Sequence, residues 1–237
     1  MEITKIATIH TGFKSKFGLP RQSGLIDELC GTIEFEAAYR SVDAVSGLDG
    51  YSHIWLLWEF SDGFISGSKK CGSNAKFTPT VRPPRLGGNR KAGVFATRSP
   101  NRPNRLAMSC VRLLRIDREC SRAPILYVSG IDMTDNTPIY DIKPYLPFTD
   151  SHPEALCGFA GEHANDSLGV VFPEELSCLI SENDRTAIEK IISEDPRPSY
   201  QEDPEREYGF TYAGFDVRFT VKNGVATIHE LYTDVST

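Results

Sequence analysis

The sequence predicts a mostly β N-terminal part followed by a smaller α+β unit, and three observations carry that reading. Over the first 145 residues apolar positions alternate or gather in strand-length blocks, and helical periodicity is scarce. Beyond Pro173 the apolar spacing changes to three and four. Near the C-terminus an Asn-Gly pair separates two alternating runs, the signature of a β-hairpin.

The elements follow in order. Residues 2–10 carry Ile3, Thr4, Ile6, Thr8 and Ile9 ahead of Gly12, a strand bounded by a turn residue. Residues 31–36 (GTIEFE) alternate as a strand with one wet face does. Residues 54–60 (IWLLWEF) are apolar enough to predict a strand covered on both faces. Two more strands are predicted at 111–116 and 124–128. Ahead of them, residues 69–105 are broken by Pro79, Pro83, Pro84, Gly87, Gly88, Gly93, Pro100 and Pro103. So long an irregular stretch in a compact domain is usually functional or disordered. Residues 152–169, rich in Ala and Gly, read as a connection. Pro173 then opens a helical pattern with Leu176, Leu179 and Ile180, and a second stripe follows at Ala187, Ile188, Ile191 and Ile192. Asp184 is the expected cap and Pro196 the stop. Phe215, Val217, Phe219 and Val221 turn at Asn223-Gly224 into a returning strand. The expected division is 1–150, a linker over 151–170, and 171–237.

At 40% hydrophobic and 24% charged residues, the composition favours a folded chain over a disordered one. No run approaches the roughly 20 apolar residues of a membrane span, and MEITKIATIH lacks a signal-peptide pattern, so a cytoplasmic protein is expected. Six cysteines form no C-x-x-C pair and five histidines are dispersed, which implies reduced thiols and no metal. G-x-G-x-x-G after a strand, the P-loop and G-x-S-x-G are all missing, which disfavours Rossmann dehydrogenases, P-loop hydrolases and α/β-hydrolases.

Charge is distributed unevenly. The net charge is -6, yet residues 63–115 hold twelve Lys or Arg and no acid, leaving 14 of the 26 bases and all 32 acids for the rest. The stretch ATRSPNRPNR sets three arginines among two prolines. A solvated basic face is one reading; contact with phosphate is the other. Fixed φ angles in VRPPR and SPNRPNR favour the second, because Arg82, Arg85, Arg98, Arg102 and Arg105 then lose less entropy on binding. FGLPRQSG adds a charge and an amide on a proline turn. DMTDNTPIYDIKPYLP sets Asp132, Asp135 and Asp141 beside Lys143 and Tyr145, a pattern open to acid–base work or to plain Asx turns.

Six segments, FGLPRQSGL, GYSHIWLLWEFSD, TVRPPRLGGN, GVFATRSPNRPN, DNTPIYDIKPYLPF and DPRPSY, stand in the order found in the TrmO tRNA methyltransferases, also called YaeB or TsaA-like. The chain resembles that family from Ile6 to about Val221. The resemblance implies an antiparallel, β-barrel-like N-terminal domain that binds S-adenosylmethionine without a Rossmann sheet, a smaller C-terminal domain, and a homodimer. It also implies methyl transfer to N6 of threonylcarbamoyladenosine 37, beside the anticodon of threonine tRNA. By position, it implies a cofactor held by Pro20, Arg21, Gln22, Ser61, Asp62, Arg98, Met133, Thr134, Asp135 and Asn136. Arg82, Arg85, Arg102 and Arg105 would meet phosphates of the tRNA anticodon stem-loop; Lys143 and Tyr145 would line the pocket, Tyr145 stacking on a base. Arg98 is thus expected to serve the cofactor and Arg102 the tRNA, and no residue is assigned as catalytic.

The chain departs from the family pattern where Ser61 stands in place of the His of most members, and where RPNRLAMS carries Arg105 for Pro and Ala107 for Gly. Ala107 reaches positive φ less cheaply than Gly, so a different turn is expected there. Two other readings stay open: a non-catalytic module that senses the cofactor or binds RNA, and a divalent-ion enzyme built on the 132–141 carboxylates.

Overall fold

The computed structural model describes residues 2–60, 77–83, 90–163, 166–197 and 203–233. Ser61, Asp62 and Arg85 lie outside the described residues. Three strands come first: β1 (Ala7–Thr11), β2 (Cys30–Phe35) and β3 (His53–Glu59). A separate two-residue ladder pairs β4 (Thr80–Val81) with β5 (Ala92–Gly93), and β6 (Leu106–Asp117), β7 (Ile125–Ser129) and β8 (Thr137–Pro144) follow. Strands β1, β2, β7, β6, β3 and β8, in that spatial order, close into an antiparallel barrel. Alternate residues point inward, and Ile9, Ile33, Ile54, Leu56, Leu126, Val128 and Ile139 are fully buried. Eight strands give an interior that side chains just fill, so a barrel of six is solid. No ligand can therefore enter the barrel interior.

Closure corrects the expectation for IWLLWEF. Burial along β3 alternates strictly, with Ile54, Leu56 and Trp58 inside and Trp55, Leu57 and Glu59 half-buried outside. One apolar face suffices for a closed barrel. Outward Trp55 is covered by Tyr145, at 5.7 Å between ring centroids, and donates its indole N–H to Asp150 Oδ2 at 2.9 Å. The segment read as turns or paired acids supplies β8, which pairs with both β1 and β3 and so completes the ring.

After α1 (Pro147–Asp150) the chain reaches the second unit: β9 (Gly169–Val171), α2 (Glu174–Ser177), α3 (Glu182–Ser193), β10 (Tyr208–Tyr212), β11 (Phe215–Lys222) and β12 (Val225–Thr233). Its sheet runs β10-β11-β12-β9, with β9 parallel to β12, so the sheet begins at Gly169 inside the expected 151–170 connection. Asn223 and Gly224 have φ of 52° and 77°, the two positive values that a type I′ turn requires. The stripe Ala187, Ile188, Ile191 and Ile192 on α3 is buried. Its cap is Ser181 rather than Asp184: Ser181 Oγ accepts the Asp184 N–H at 3.1 Å and donates to the Asp184 carboxylate at 2.7 Å. Asp184 stands at the third helical position, where an acid also meets the positive end of the helix dipole.

The two units share one continuous apolar cluster. The loop after β1 makes the junction: the Gly12 carbonyl accepts from the Ala213 N–H at 3.0 Å, and the Phe13 and Tyr212 rings lie 4.9 Å apart. Phe17 stacks on Tyr208 at 6.5 Å, and Lys190 Nζ reaches Glu28 Oε1 at 2.6 Å. The C-terminal sheet is thus the back wall of the loop that leads to Pro20.

Candidate functional site

Strand direction decides where the predicted residues meet. In an antiparallel ring, β1, β3 and β7 end at the rim where β2, β6 and β8 begin. The connections 12–29, 60–105 and 130–136 therefore all leave from one rim. Those three loops hold every residue of the predicted cofactor set.

Hydrogen bonds tie the loops together. Arg98 Nη1 donates to Gln22 Oε1, and Gln22 Nε2 donates to the Arg21 carbonyl. Next along, Ser23 Oγ accepts the Cys110 N–H at 3.0 Å, and the Ser23 backbone N–H donates to the Asp132 carboxylate. Ser109 Oγ donates to Asp132 Oδ1 at 2.6 Å while accepting the Trp58 indole N–H at 2.9 Å. A relay thus runs from inside the barrel to the rim: Trp58, Ser109, Asp132, with the positive charge of Arg98 close by. Ser109 and Trp58 are buried, and such polar groups are affordable only because each finds a partner.

Burial pushes the Asp132 carboxyl up to about 6, against the hydrogen bonds from Ser109 and Ser23 and the Arg98 charge, all of which pull it down. Because this acid titrates higher in the folded chain than its ordinary value of 3.8, the folded state binds the proton more tightly between those two pH values. Its contribution to stability rises as pH falls through that window. Wild-type protein should gain about 1 kcal/mol relative to Asp132→Asn between pH 7 and pH 5, read from urea midpoints at the two pH values. Equal pH dependence in both proteins would show that Asp132 is not buried in this way.

The 133–136 segment serves partly as foundation. Met133 and Thr134 side chains are buried; the Met133 carbonyl accepts from Thr11 Oγ1 at 3.2 Å and the Thr134 carbonyl from Thr137 Oγ1 at 2.7 Å. Asp135 clamps its own loop, accepting the Thr11 N–H at 3.1 Å on Oδ1 and Asn136 Nδ2 at 2.8 Å on Oδ2, with His10 Nδ1 at 3.3 Å. Asn136 alone of the four is exposed.

The other predicted residues divide. Pro20 is buried. Arg21 turns toward the C-terminal unit, donating from Nη2 to the Asp195 carbonyl at 2.8 Å, and the Asp195 carboxylate holds Arg197 through two bonds of 2.7 and 2.8 Å. Arg102, expected to face phosphate, donates from Nη1 to the Thr97 carbonyl at 3.0 Å and to that of Ser99 at 3.5 Å, closing the turn around Arg98. Arg82 is exposed beside β4, and Arg105 is half-buried, its carbonyl accepting from the Phe60 N–H at 3.2 Å. Ala107 pairs with Trp58 inside β6, and its φ is not positive. Lys143 and Tyr145 are not brought to this rim. They stand at the far end of β8, about 20 Å of extended chain from Thr137. Lys143 pairs with Asp141 at 2.7 Å, and the Tyr145 ring lies against His53 and Trp55.

Sequence reasoning missed Ser23, Trp58 and Ser109, and it weighed Asp132 only as one of three acids. The available signal was an acid placed directly after an apolar strand, in ILYVSGID, opposite a basic loop. Among the described residues no three His, Cys, Asp or Glu side chains gather as metal ligands, and no described helix is long and apolar enough to cross a membrane.

Comparison with known proteins adds a second line. Residues 8–151 match the tRNA-methyltransferase O N-terminal domain, and residues 166–234 match the TrmO C-terminal domain. A tRNA (adenine(37)-N6)-methyltransferase of Escherichia coli (strain K12) is 37% identical over 231 residues, covering 93% of each chain. A putative S-adenosylmethionine-dependent methyltransferase RcsF of Pseudomonas aeruginosa is 37% identical over 225 residues, covering 92% of this chain and 91% of the relative. The crystal structure of TrmO from Pseudomonas aeruginosa superimposes with a TM-score of 0.72 at 29% identity, covering 98% of both chains.

Proposed function

We propose that this chain, which belongs to the tRNA-methyltransferase O family, transfers a methyl group from S-adenosylmethionine to N6 of adenine 37 in tRNA, with threonylcarbamoylated adenosine in threonine tRNA as the acceptor. One observation carries the reading: three separate loops come together on one barrel rim, where Arg98 donates to Gln22, the neighbouring Ser23 donates to Asp132, and the Arg98 charge acts on the Asp132 carboxylate. The donor set suits the cofactor. S-adenosylmethionine presents a carboxylate, an ammonium, a sulfonium and an adenosine; the rim offers the Arg98 guanidinium to the first and the Asp132 carboxylate to the cationic groups. Gln22 and the Asp135–Asn136 turn stand by for the polar edge of the nucleoside.

When bound, the cofactor supplies a methyl group already activated by its sulfonium. The chain's part is placement. Gln22 and the Arg102-closed turn fix Arg98, the Ser109 and Ser23 hydrogen bonds fix Asp132, and the C-terminal sheet holds the loop that carries both Gln22 and Ser23. Orientation of this kind is worth several powers of ten in rate. The basic loop, with Arg82, Arg98, Arg102 and Arg105, draws the phosphates of the anticodon stem-loop toward the same rim.

A division at 1–150, 151–170 and 171–237 is part of this proposal; the matched ranges 8–151 and 166–234 support two units, the second of them starting inside that linker. A cytoplasmic homodimer belongs to the same proposal. Leu106, Met108 and Leu114 on the outer face of β6 are 38%, 54% and 50% exposed, an apolar strip suited to a second copy.

Labelled S-adenosylmethionine, offered with threonylcarbamoylated tRNA and with unmodified tRNA, tests the reaction. Label is expected only in the modified tRNA and is expected to survive a chelator. RNA that binds without gaining label would mark a non-catalytic module instead, and label in both RNAs would remove the acceptor assignment.

A further inference from the structure

Two phenylalanines on the basic loop lie outside the apolar core. Phe77, ahead of β4, and Phe95, in the 3-10 turn after β5, are 51% and 72% exposed. Their rings stack at 6.0 Å between centroids with 23° between planes. Water normally drives such rings inward. Here the backbone holds them out: Thr80 pairs with Gly93 and Val81 with Ala92, the Val94 N–H donates to the Pro79 carbonyl at 2.9 Å, and Val94, not Phe95, is the buried member of the turn. Exposed Arg82, Arg90, Lys91 and Arg98 lie within five residues of one ring or the other.

We propose that Phe77 and Phe95 form a platform on which an unpaired base of the RNA loop stacks, next to the base that is methylated. The inference rests on the tRNA reading above and deepens it. Only unpaired bases expose both faces to an aromatic ring, and stacking tolerates any base. Phe95 is three residues from Arg98, a reach of at most about 10 Å, so a base on the platform neighbours the cofactor rim. Charge chooses the occupant. Residues 77–98, around the platform and ahead of β6, have five cations and no acid, so they attract a phosphate backbone and repel the same loop of a second copy. The platform also fills the part expected of Tyr145, whose ring is packed against His53 and Trp55 at the other end of β8.

Fluorescence anisotropy of a labelled anticodon stem-loop RNA on the full chain, with calorimetry of S-adenosylmethionine alongside, tests the platform. Phe95→Ala is expected to weaken RNA binding about tenfold, to leave the slope of affinity against salt unchanged, and to leave cofactor affinity within about twofold. Phe95→Trp is expected to restore RNA binding. Lys91→Gln should instead lower the salt slope by about one. Wild-type affinity in Phe95→Ala, or a loss that Phe95→Trp does not recover, overturns the platform while leaving the tRNA reading intact. Concentration-dependent sedimentation that Phe95→Ala abolishes overturns it in favour of self-association. Wild-type protein that fails to bind the stem-loop overturns the tRNA reading and the platform with it.

Discussion

Arg98→Ala is expected to weaken S-adenosylmethionine binding about 30-fold, and Arg102→Ala to weaken it about fivefold although Arg102 turns its guanidinium onto its own loop. A hydrogen bond between charged partners is worth about 2 kcal/mol, and each 1.4 kcal/mol is a factor of ten in affinity. Arg98 offers that bond with its guanidinium already held by Gln22 Oε1. Arg102 contributes one step removed. Its Nη1 bridges the carbonyls of Thr97 and Ser99, the residues on either side of Arg98, and losing that closure returns about 1 kcal/mol of freedom to the turn. On the proposed function both arginines are expected to affect cofactor affinity, Arg102 in addition to the tRNA contact expected of it from sequence. Arg98→Lys should recover only part of the loss, because an ammonium lacks the planar fork that grips a carboxylate through two parallel bonds. Calorimetric titration of the three variants decides the matter. An Arg98→Ala protein that binds within twofold of wild type would remove Arg98 from the site.

Much of this was legible in the chain, and the limits have physical causes. Period-two patterns found β2 and the β11–β12 hairpin, since one-sided burial writes itself directly into alternation. Spacings of three and four found the buried face of α3. Strand β8 escaped because Pro138 and Pro144 near its ends and two acids within or before it carry turn signals, although a proline is tolerated at a strand's margins. Closure of the barrel depends on β1 meeting β8 across more than 120 residues, as at Ile9 and Thr137, and no local pattern encodes that pairing.

The site divides along the same line. The motifs located the loops, but the aim of each side chain follows from register and from neighbours distant in sequence. Asp135 bends back to Thr11, Arg21 is drawn to Asp195, and Asp132 is left facing Arg98. From sequence the three are equivalent polar residues in turns; only the fold distinguishes a clamp, a tether and a rim carboxylate.

Gly18→Ala is expected to damage the fold itself, lowering stability by about 2–5 kcal/mol. Gly18 has φ of 91°, where an L side chain costs about 1–2 kcal/mol, and an added Cβ would stand 2.9 Å from two carbons of the Phe210 ring. Neither atom is the free end of a flexible chain: Phe210 is buried in the C-terminal sheet, against Phe219 at 6.3 Å between centroids, so relief requires the sheet to shift, at about 1–3 kcal/mol. A drop in melting temperature of about 5–15 °C should follow. The consequence reaches beyond stability, because Gly18 lies two residues before Pro20 in the loop that carries Gln22 and Ser23. Cofactor affinity measured well below the melting transition should therefore fall as well. Adding Phe210→Ala removes the collision but not the backbone strain, so the double variant should recover cofactor affinity more fully than thermal stability. A Gly18→Ala protein that melts within about 1 °C of wild type would mean that the loop does not rest on the C-terminal sheet, and the placement of Gln22 against Arg98 would lose its support.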